Sequence, residues 1–123
     1  MSGVKPKRMF RVFACDWGDG PERGPAARGT LTLCVREDGS EKVIYIADAT
    51  GSRREFDCAK LSVGPKAGDQ RFVVECLLYG PHTGPDRYSF QAYKEIPVTG
   101  DNVRMTLVRV VAAPGVVTGG EGG

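Results

Sequence analysis

The stretch from Gly29 to Ala47 constrains the fold more than any other part of the chain. It reads G-T-L-T-L-C-V-R, then E-D-G-S, then E-K-V-I-Y-I-A. Leu31, Leu33 and Val35 alternate with Thr30, Thr32, Cys34 and Arg36, and this period of two marks a half-buried strand. The link carries Asp38-Gly39, where glycine can take the positive φ of a tight hairpin loop. Val43, Ile44, Tyr45 and Ile46 are apolar on both faces. The expected product is a β-hairpin with its first strand near a sheet edge and its second nearer the centre.

Further strands are expected on both sides of this hairpin. In Arg8 to Cys15, Met9, Arg11, Phe13 and Cys15 fall on one face and Phe10, Val12 and Ala14 on the other. Such a strand lies inside a sheet or changes face at a bulge. The glycines and prolines of Asp16 to Pro25 point to a loop of about a dozen residues with no regular element. Arg53 to Cys58 reads as a strand with Phe56 and Cys58 inward and Glu55 and Asp57 outward. Ala59 to Asp69, broken by Gly64-Pro65 and Gly68, reads as a loop.

Gln70 to Tyr79 carries the clearest alternation. Phe72, Val74, Cys76 and Leu78 share one face; Val73, Glu75, Leu77 and Tyr79 share the other. Arg87 to Tyr93 follows, with Tyr88, Phe90 and Ala92 inward. Residues 103–112 favour a strand with a bulge. A helix capped at Asp101 would instead align Val103, Leu107, Val110 and Val111.

A chain of 123 residues with 41% hydrophobic content suits one domain, and 17 glycines and 8 prolines suit many turns. The organisation read from these features is a flexible basic arm over 1–7, a β domain over 8–112 and a disordered glycine-rich tail over 113–123. About seven strands in mostly hairpin order predict an all-β, single-domain antiparallel barrel or two-sheet sandwich. With a C-terminal helix at about 102–112 the arrangement would resemble a pleckstrin-homology-like barrel. An OB-like barrel is disfavoured, because the place of its usual helix is rich in glycine and proline here.

Seventeen basic residues against fifteen acidic give a net charge of +2, too balanced to demand nucleic acid or an acidic membrane as partner. Eleven of the bases are arginine, which tilts toward planar, bidentate contacts. The first residues show no apolar core of a secretory signal, and no stretch has the length of a membrane span, so an intracellular setting, cytoplasm or nucleus, is expected. Cys15, Cys34, Cys58 and Cys76 form no C-x-x-C and each falls in an expected strand. Buried free thiols are the favoured state over a cross-strand disulfide or a dispersed metal site.

Asp16, Asp19 and Glu22 could hold calcium, but their spacing departs from the EF-hand and Arg23 lies beside them; an ordinary polar loop is expected. His82 has Thr83 and Asp86 nearby without a nucleophile signature around it. No catalytic residue, cofactor, metal or small-molecule substrate is therefore expected, and the chain reads as a non-enzyme. Trp17 is either a plug at one end of the core, the favoured option, or an exposed anchor.

Two functions fit. The leading expectation is a protein-interaction or assembly module, with a protein partner or a second copy meeting an apolar sheet face formed by Ile44, Ile46, Leu77 and Tyr79, with Trp17. The alternative is a nucleic-acid-binding β-barrel. It would use Lys5, Lys7, Arg8 and Arg11 of the arm region, Arg53, Arg54, Arg71, Arg104 and Arg109, and Tyr93, with Tyr79 and Trp17 as further stacking rings. Cross-strand pairing with acids such as Glu41 or Asp57 would neutralise Arg53 and Arg54.

Overall fold

The computed structural model describes residues 4–16, 21–23, 27–66, 68, 70–79 and 85–104. Within them run β1 (Lys5–Asp16), β2 (Pro21–Arg23), β3 (Gly29–Val35), β4 (Glu41–Ala47), β5 (Arg53–Val63), β6 (Phe72–Tyr79), β7 (Asp86–Ile96) and a single helical turn, α1 (Gly100–Val103). The strands are ordered β2-β1-β3-β4-β5-β6-β7, and β7 pairs back onto β1. All pairings are antiparallel. The result is the barrel of the two expected forms: six strands close on themselves, and β2 is a short addition at the end of β1.

Closure leaves β3 no edge. It is bonded to β1 on one side and β4 on the other, so the expected edge position for the first hairpin strand is corrected. Its polar face is not solvated either: Thr30 and Thr32 are 2% and 1% exposed. The loop of this hairpin forms as its sequence suggested. Gly39 takes φ +90°, its N–H donates to the Arg36 carbonyl at 3.0 Å, and the Arg36 N–H donates to the Ser40 carbonyl at 2.8 Å. Asp38 Oδ1 accepts from the Ser40 amide at 2.9 Å, which fastens the turn from the side-chain end.

The barrel interior is filled from every strand of the ring. Phe10 and Val12, Leu31, Val43 and Tyr45, Cys58, Val74 and Leu78, and Phe90 belong to one buried cluster. Phe10 meets Phe72 edge-on at 6.2 Å, and Tyr45 stacks on Phe90 at 6.4 Å. The inward faces expected for β6 and β7 are the ones found. All four cysteines are buried free thiols, as expected. Each apolar side chain buried in this way contributes about 1.5–3 kcal/mol.

Element boundaries differ from expectation: β6 starts at Phe72 and not Gln70, β7 runs from Asp86 to Ile96 and not from Arg87 to Tyr93, and three further differences change the reading. Lys5 to Lys7 lie in β1, with Lys5 opposite Val35 and Pro6 opposite Cys34, so these basic residues belong to the sheet and not to a free arm. Pro21–Arg23 pairs with Ala14–Asp16, where no regular element was expected; three residues are enough to extend a strand that already has a partner. And β5 runs on to Val63, because Ala59 is left out of the pairing between Cys58↔Leu78 and Lys60↔Leu77. That bulge lets the strand keep its partner until Gly64-Pro65 ends it.

The strand favoured from residue 103 is also corrected at its start: Gly100–Val103 is helical. Its cap is Thr99, whose Oγ1 accepts from the Asn102 amide at 3.1 Å, not Asp101. Residues 105–112, the tail, Trp17, Asp19, His82 and Arg109 lie outside the described residues.

Candidate binding site

The seam between β1 and β7 is where the barrel departs from regular pairing. Phe10 faces Glu95 and Arg11 faces Lys94, but Val12 faces Ala92 and Ala14 faces Gln91. Tyr93 on one strand and Phe13 on the other are therefore skipped, one bulge opposing the other. A bulge turns its extra residue away from the ladder. Both rings project on the outer surface, their centroids 6.4 Å apart at 46°. The slip also explains why Cys15, expected on the face of Arg11 and Phe13, joins the core instead.

Around this aromatic pair lies a cleft of about 440 Å³ lined by Arg11, Phe13, Arg28, Asp48, Arg71 and Tyr93. Arg11 is its fixed point. Its guanidinium donates to both carboxylate oxygens of Asp48 at 3.0 and 2.5 Å and to Thr30 Oγ1 at 2.7 Å, and its Nε donates to Tyr93 Oη at 3.1 Å. The paired hydrogen bonds to Asp48 outweigh burial and raise the Arg11 pKa further. Asp48 is held in turn by its own N–H, which donates to the Arg28 carbonyl at 2.9 Å. Three strands and the β4–β5 turn thus fix the Tyr93 ring.

The remaining cations stand around the rings. The Arg71 guanidinium lies 5.8 Å over the Phe13 ring, a cation–π placement. The residue before it, Gln70, holds φ +73°, a left-handed conformation uncommon outside glycine. Arg28 is exposed. The lining brings three guanidiniums against one carboxylate. Tyr93 keeps 41% of its surface exposed.

Of the residues singled out in the sequence, Arg11, Arg71 and Tyr93 come together here. Phe13 and Arg28 complete the cleft and were missed. For Phe13 the signal was present, since the period-two pattern of β1 sets it beside Arg11; nothing local marks Arg28.

The other basic candidates are dispersed and mostly neutralised. Lys7 pairs with Glu41 at 3.0 Å, and Arg8 grips both Glu95 oxygens at 2.8 and 2.7 Å. Arg53 pairs with Glu55, its neighbour on the same strand, instead of with Glu41 or Asp57, and Arg104 pairs with Asp101. Lys5 is exposed on β1, and Arg54 is exposed opposite Tyr45.

These pairs leave electrostatic traces. The Arg8 hydrogen bonds hold Glu95 below the usual carboxylate range. Burial would raise Glu55, but hydrogen bonds from Lys42 and Arg53 bring it below that range. Burial pushes the Cys34, Cys58 and Cys76 thiols up, which makes them poor nucleophiles near neutral pH.

The apolar face expected for protein contact is only partly present. Ile44 and Ile46 are 3% and 4% exposed, packed with Cys34 and Val4 in a second buried cluster, so they are not available as a surface. Their alternation was ambiguous because both sides of β4 are covered. Leu77 is half-buried and Tyr79 is exposed on the outer side of β6.

Among the described residues no helix is long and apolar enough to cross a membrane, and no cluster of three or more potential metal ligands occurs. No known family model matches the chain, and no curated protein sequence matches it.

Proposed function

We propose that this protein is a non-catalytic barrel that binds single-stranded nucleic acid at the β1–β7 seam. One observation carries the reading: Arg11, Arg28 and Arg71 share a cleft with Phe13 and Tyr93 on one outer surface. Single strands are held by aromatic rings on which bases stack and by cations that meet the backbone. Bases inside a duplex are already stacked on both sides, so a two-ring cleft suits unpaired bases. The overall charge of +2 does not oppose this, because the cleft lining itself sets three guanidiniums against one carboxylate.

The test is fluorescence anisotropy of a labelled oligothymidylate at low and moderate salt. Micromolar binding is expected, with a log–log salt slope of about −1.4 if Arg28 and Arg71 each meet one phosphate, at about −0.7 per phosphate on a single strand. Tyr93→Ala and Arg71→Ala should each weaken it about tenfold or more, since one stacked base is worth roughly 1–3 kcal/mol. Arg36→Ala, in the pair with Asp57 beyond the opposite end of β3 from Thr30, should leave it unchanged. No binding at low salt would remove the proposal.

A second reading retains the protein-interaction surface in reduced form. Val73 and Tyr79 on β6 are 41% and 48% exposed, with half-buried Leu77 between them. Sedimentation velocity over a concentration series tests self-association through this strip, and Tyr79→Ser should abolish any dimer it forms.

A further inference from the structure

Arg71 lines two clefts at once. On one side is the aromatic cleft just described. On the other is a mainly apolar cleft of about 570 Å³, whose walls include Gly64, Pro65, Phe72, Val73 and Gln91. Both volumes fall within the range of roughly 300–1,000 Å³ common to ligand clefts. Val73 and Gln91 face each other directly across β6 and β7. Val73 offers an exposed apolar surface and Gln91 a half-buried amide that can both donate and accept. Arg71 and Val73 are two positions apart, about 7 Å along an extended chain. The two clefts therefore meet at Arg71, with the ring pair on one side and the apolar surface with its amide on the other.

That arrangement repeats the order of a nucleic-acid strand, which runs base, phosphate, base. We infer that the two clefts hold two consecutive nucleotides of one single strand, with the phosphate between them on Arg71. The inference rests on the nucleic-acid reading above and gives it a footprint. The first base stacks on Tyr93, beside the Phe13 ring that Arg71 covers. The second lies against Val73 and Pro65, with Gln91 within reach of its hydrogen-bonding edge. Charge complementarity selects this occupant over an apolar peptide: Arg11, Arg28 and Arg71 stand against the single carboxylate of Asp48 in the lining of the first cleft, and an anionic strand answers that excess.

The experiment is an NMR titration of the ¹⁵N-labelled full chain with thymidine monophosphate, d(TpT), r(UpU) and dT4. Either dinucleotide should bind about tenfold or more tightly than the mononucleotide, the value of one added stacked base. Lengthening d(TpT) to dT4 should add less than about fivefold, since a two-nucleotide footprint is already filled and the gain is mainly one of alternative registers. The Tyr93 amide should shift with every ligand, and the Val73 and Gln91 amides only with two or more nucleotides. Val73→Asn, at an exposed position, should bring d(TpT) down toward the mononucleotide level and leave the mononucleotide unchanged. Equal affinities for mononucleotide and dinucleotide, or a Val73→Asn variant that weakens both alike, would overturn the two-nucleotide footprint while the single-cleft reading stands. Absence of binding by every probe would remove the nucleic-acid reading itself, and the footprint with it.

Discussion

The β3–β4 hairpin and the β1–β7 seam are both antiparallel pairings of one barrel, yet they are built to opposite ends. From Gly29↔Ala47 to Val35↔Glu41 the hairpin register is unbroken, and most of its side chains are buried on both faces. The seam slips twice within a comparable length, and each slip turns an aromatic ring outward. Regular pairing consumes every side chain in packing, whereas an opposed pair of bulges releases two. The hairpin is accordingly the part of the barrel where substitutions should cost most stability, and the seam the part where they should cost binding.

The largest expected effect tests the hairpin at Gly29. A Cβ there would stand 2.3 Å from the Ile46 carbonyl oxygen and 2.9 Å from the Tyr45 ring. Backbone on one side and a buried ring on the other leave nothing to yield. Gly29→Ala should lose roughly 3 kcal/mol or more in urea denaturation, at the upper end of overpacking. Gly39→Ala is the control. It has open space but φ +90°, so it should lose only about 1–2 kcal/mol, the cost of left-handed backbone with a side chain. Gly29 does not take a positive φ, so a loss there no larger than at Gly39 would mean that the close approach to Ile46 and Tyr45 relaxes at little cost.

Two tyrosine hydroxyls sharpen the same contrast at smaller scale. Tyr45 Oη donates to the Ala27 carbonyl at 2.6 Å in a buried setting; a weak contact from Cys15 Sγ at 3.8 Å also reaches that oxygen. Tyr45→Phe should cost about 1–2 kcal/mol, because a buried acceptor loses its main donor. Tyr93 Oη accepts from Arg11 at an exposed site, where water replaces it. Tyr93→Phe should cost under about 0.5 kcal/mol. A larger loss at Tyr93 than at Tyr45 would reverse the assignment of the two regions.

The same contrast governs what could be read from the chain before folding. The hairpin, its loop and the inward faces of β6 and β7 were legible because period-two alternation and the Asp38-Gly39 turn report backbone geometry directly. Which face of a strand stays wet was not legible. Ile44 and Ile46 looked like a surface because alternation says which residues share a side, not what lies across from it. The seam was half legible. Arg11, Arg71 and Tyr93 could be named by chemistry, but their meeting depends on β7 pairing with β1 some 80 positions away in sequence, by direct count of Arg11 to Tyr93, and no local signal carries that closure. The β5 extension was hidden for a similar reason: the bulge at Ala59 is an accommodation to β6, not a property of the Ala59 segment.

At Thr32 the hairpin's burial is imperfect. Its Oγ1 is buried and finds no hydrogen-bond partner, between strands whose own backbone groups are paired. Valine has nearly the same shape and lacks the hydroxyl. Thr32→Val should therefore be neutral or stabilise by up to about 1 kcal/mol in the same urea series, since an unsatisfied buried hydroxyl costs about that or more. A clear loss would show that the hydroxyl has a partner in solution, such as a water molecule, and that the hairpin's outer face is wetter than its exposure suggests.

The smallest effect belongs to the seam and depends on pH. Arg8 on β1 grips Glu95 on β7, and these hydrogen bonds lower the Glu95 pKa on folding. A carboxyl lowered in the folded state contributes its stability above its unfolded value, about 4.3 for glutamate, and loses it as pH falls through the folded value. The seam should accordingly loosen in the window below about pH 4.3, before the hairpin does. Both partners are partly exposed, so solvent screens the pair and the change in global stability should be small. Amide hydrogen exchange resolves it better than a melt. Between pH 5 and 3, after correction for intrinsic exchange rates, protection of the Phe10 and Glu95 amides should fall relative to that of Leu31 and Tyr45. Glu95→Gln removes the titration, and in that variant the two sets of amides should lose protection together. If the wild-type seam and hairpin also decline in parallel, the ion pair does not hold the seam, and the barrel's closure rests on the β1–β7 backbone pairing and the core packed beneath it.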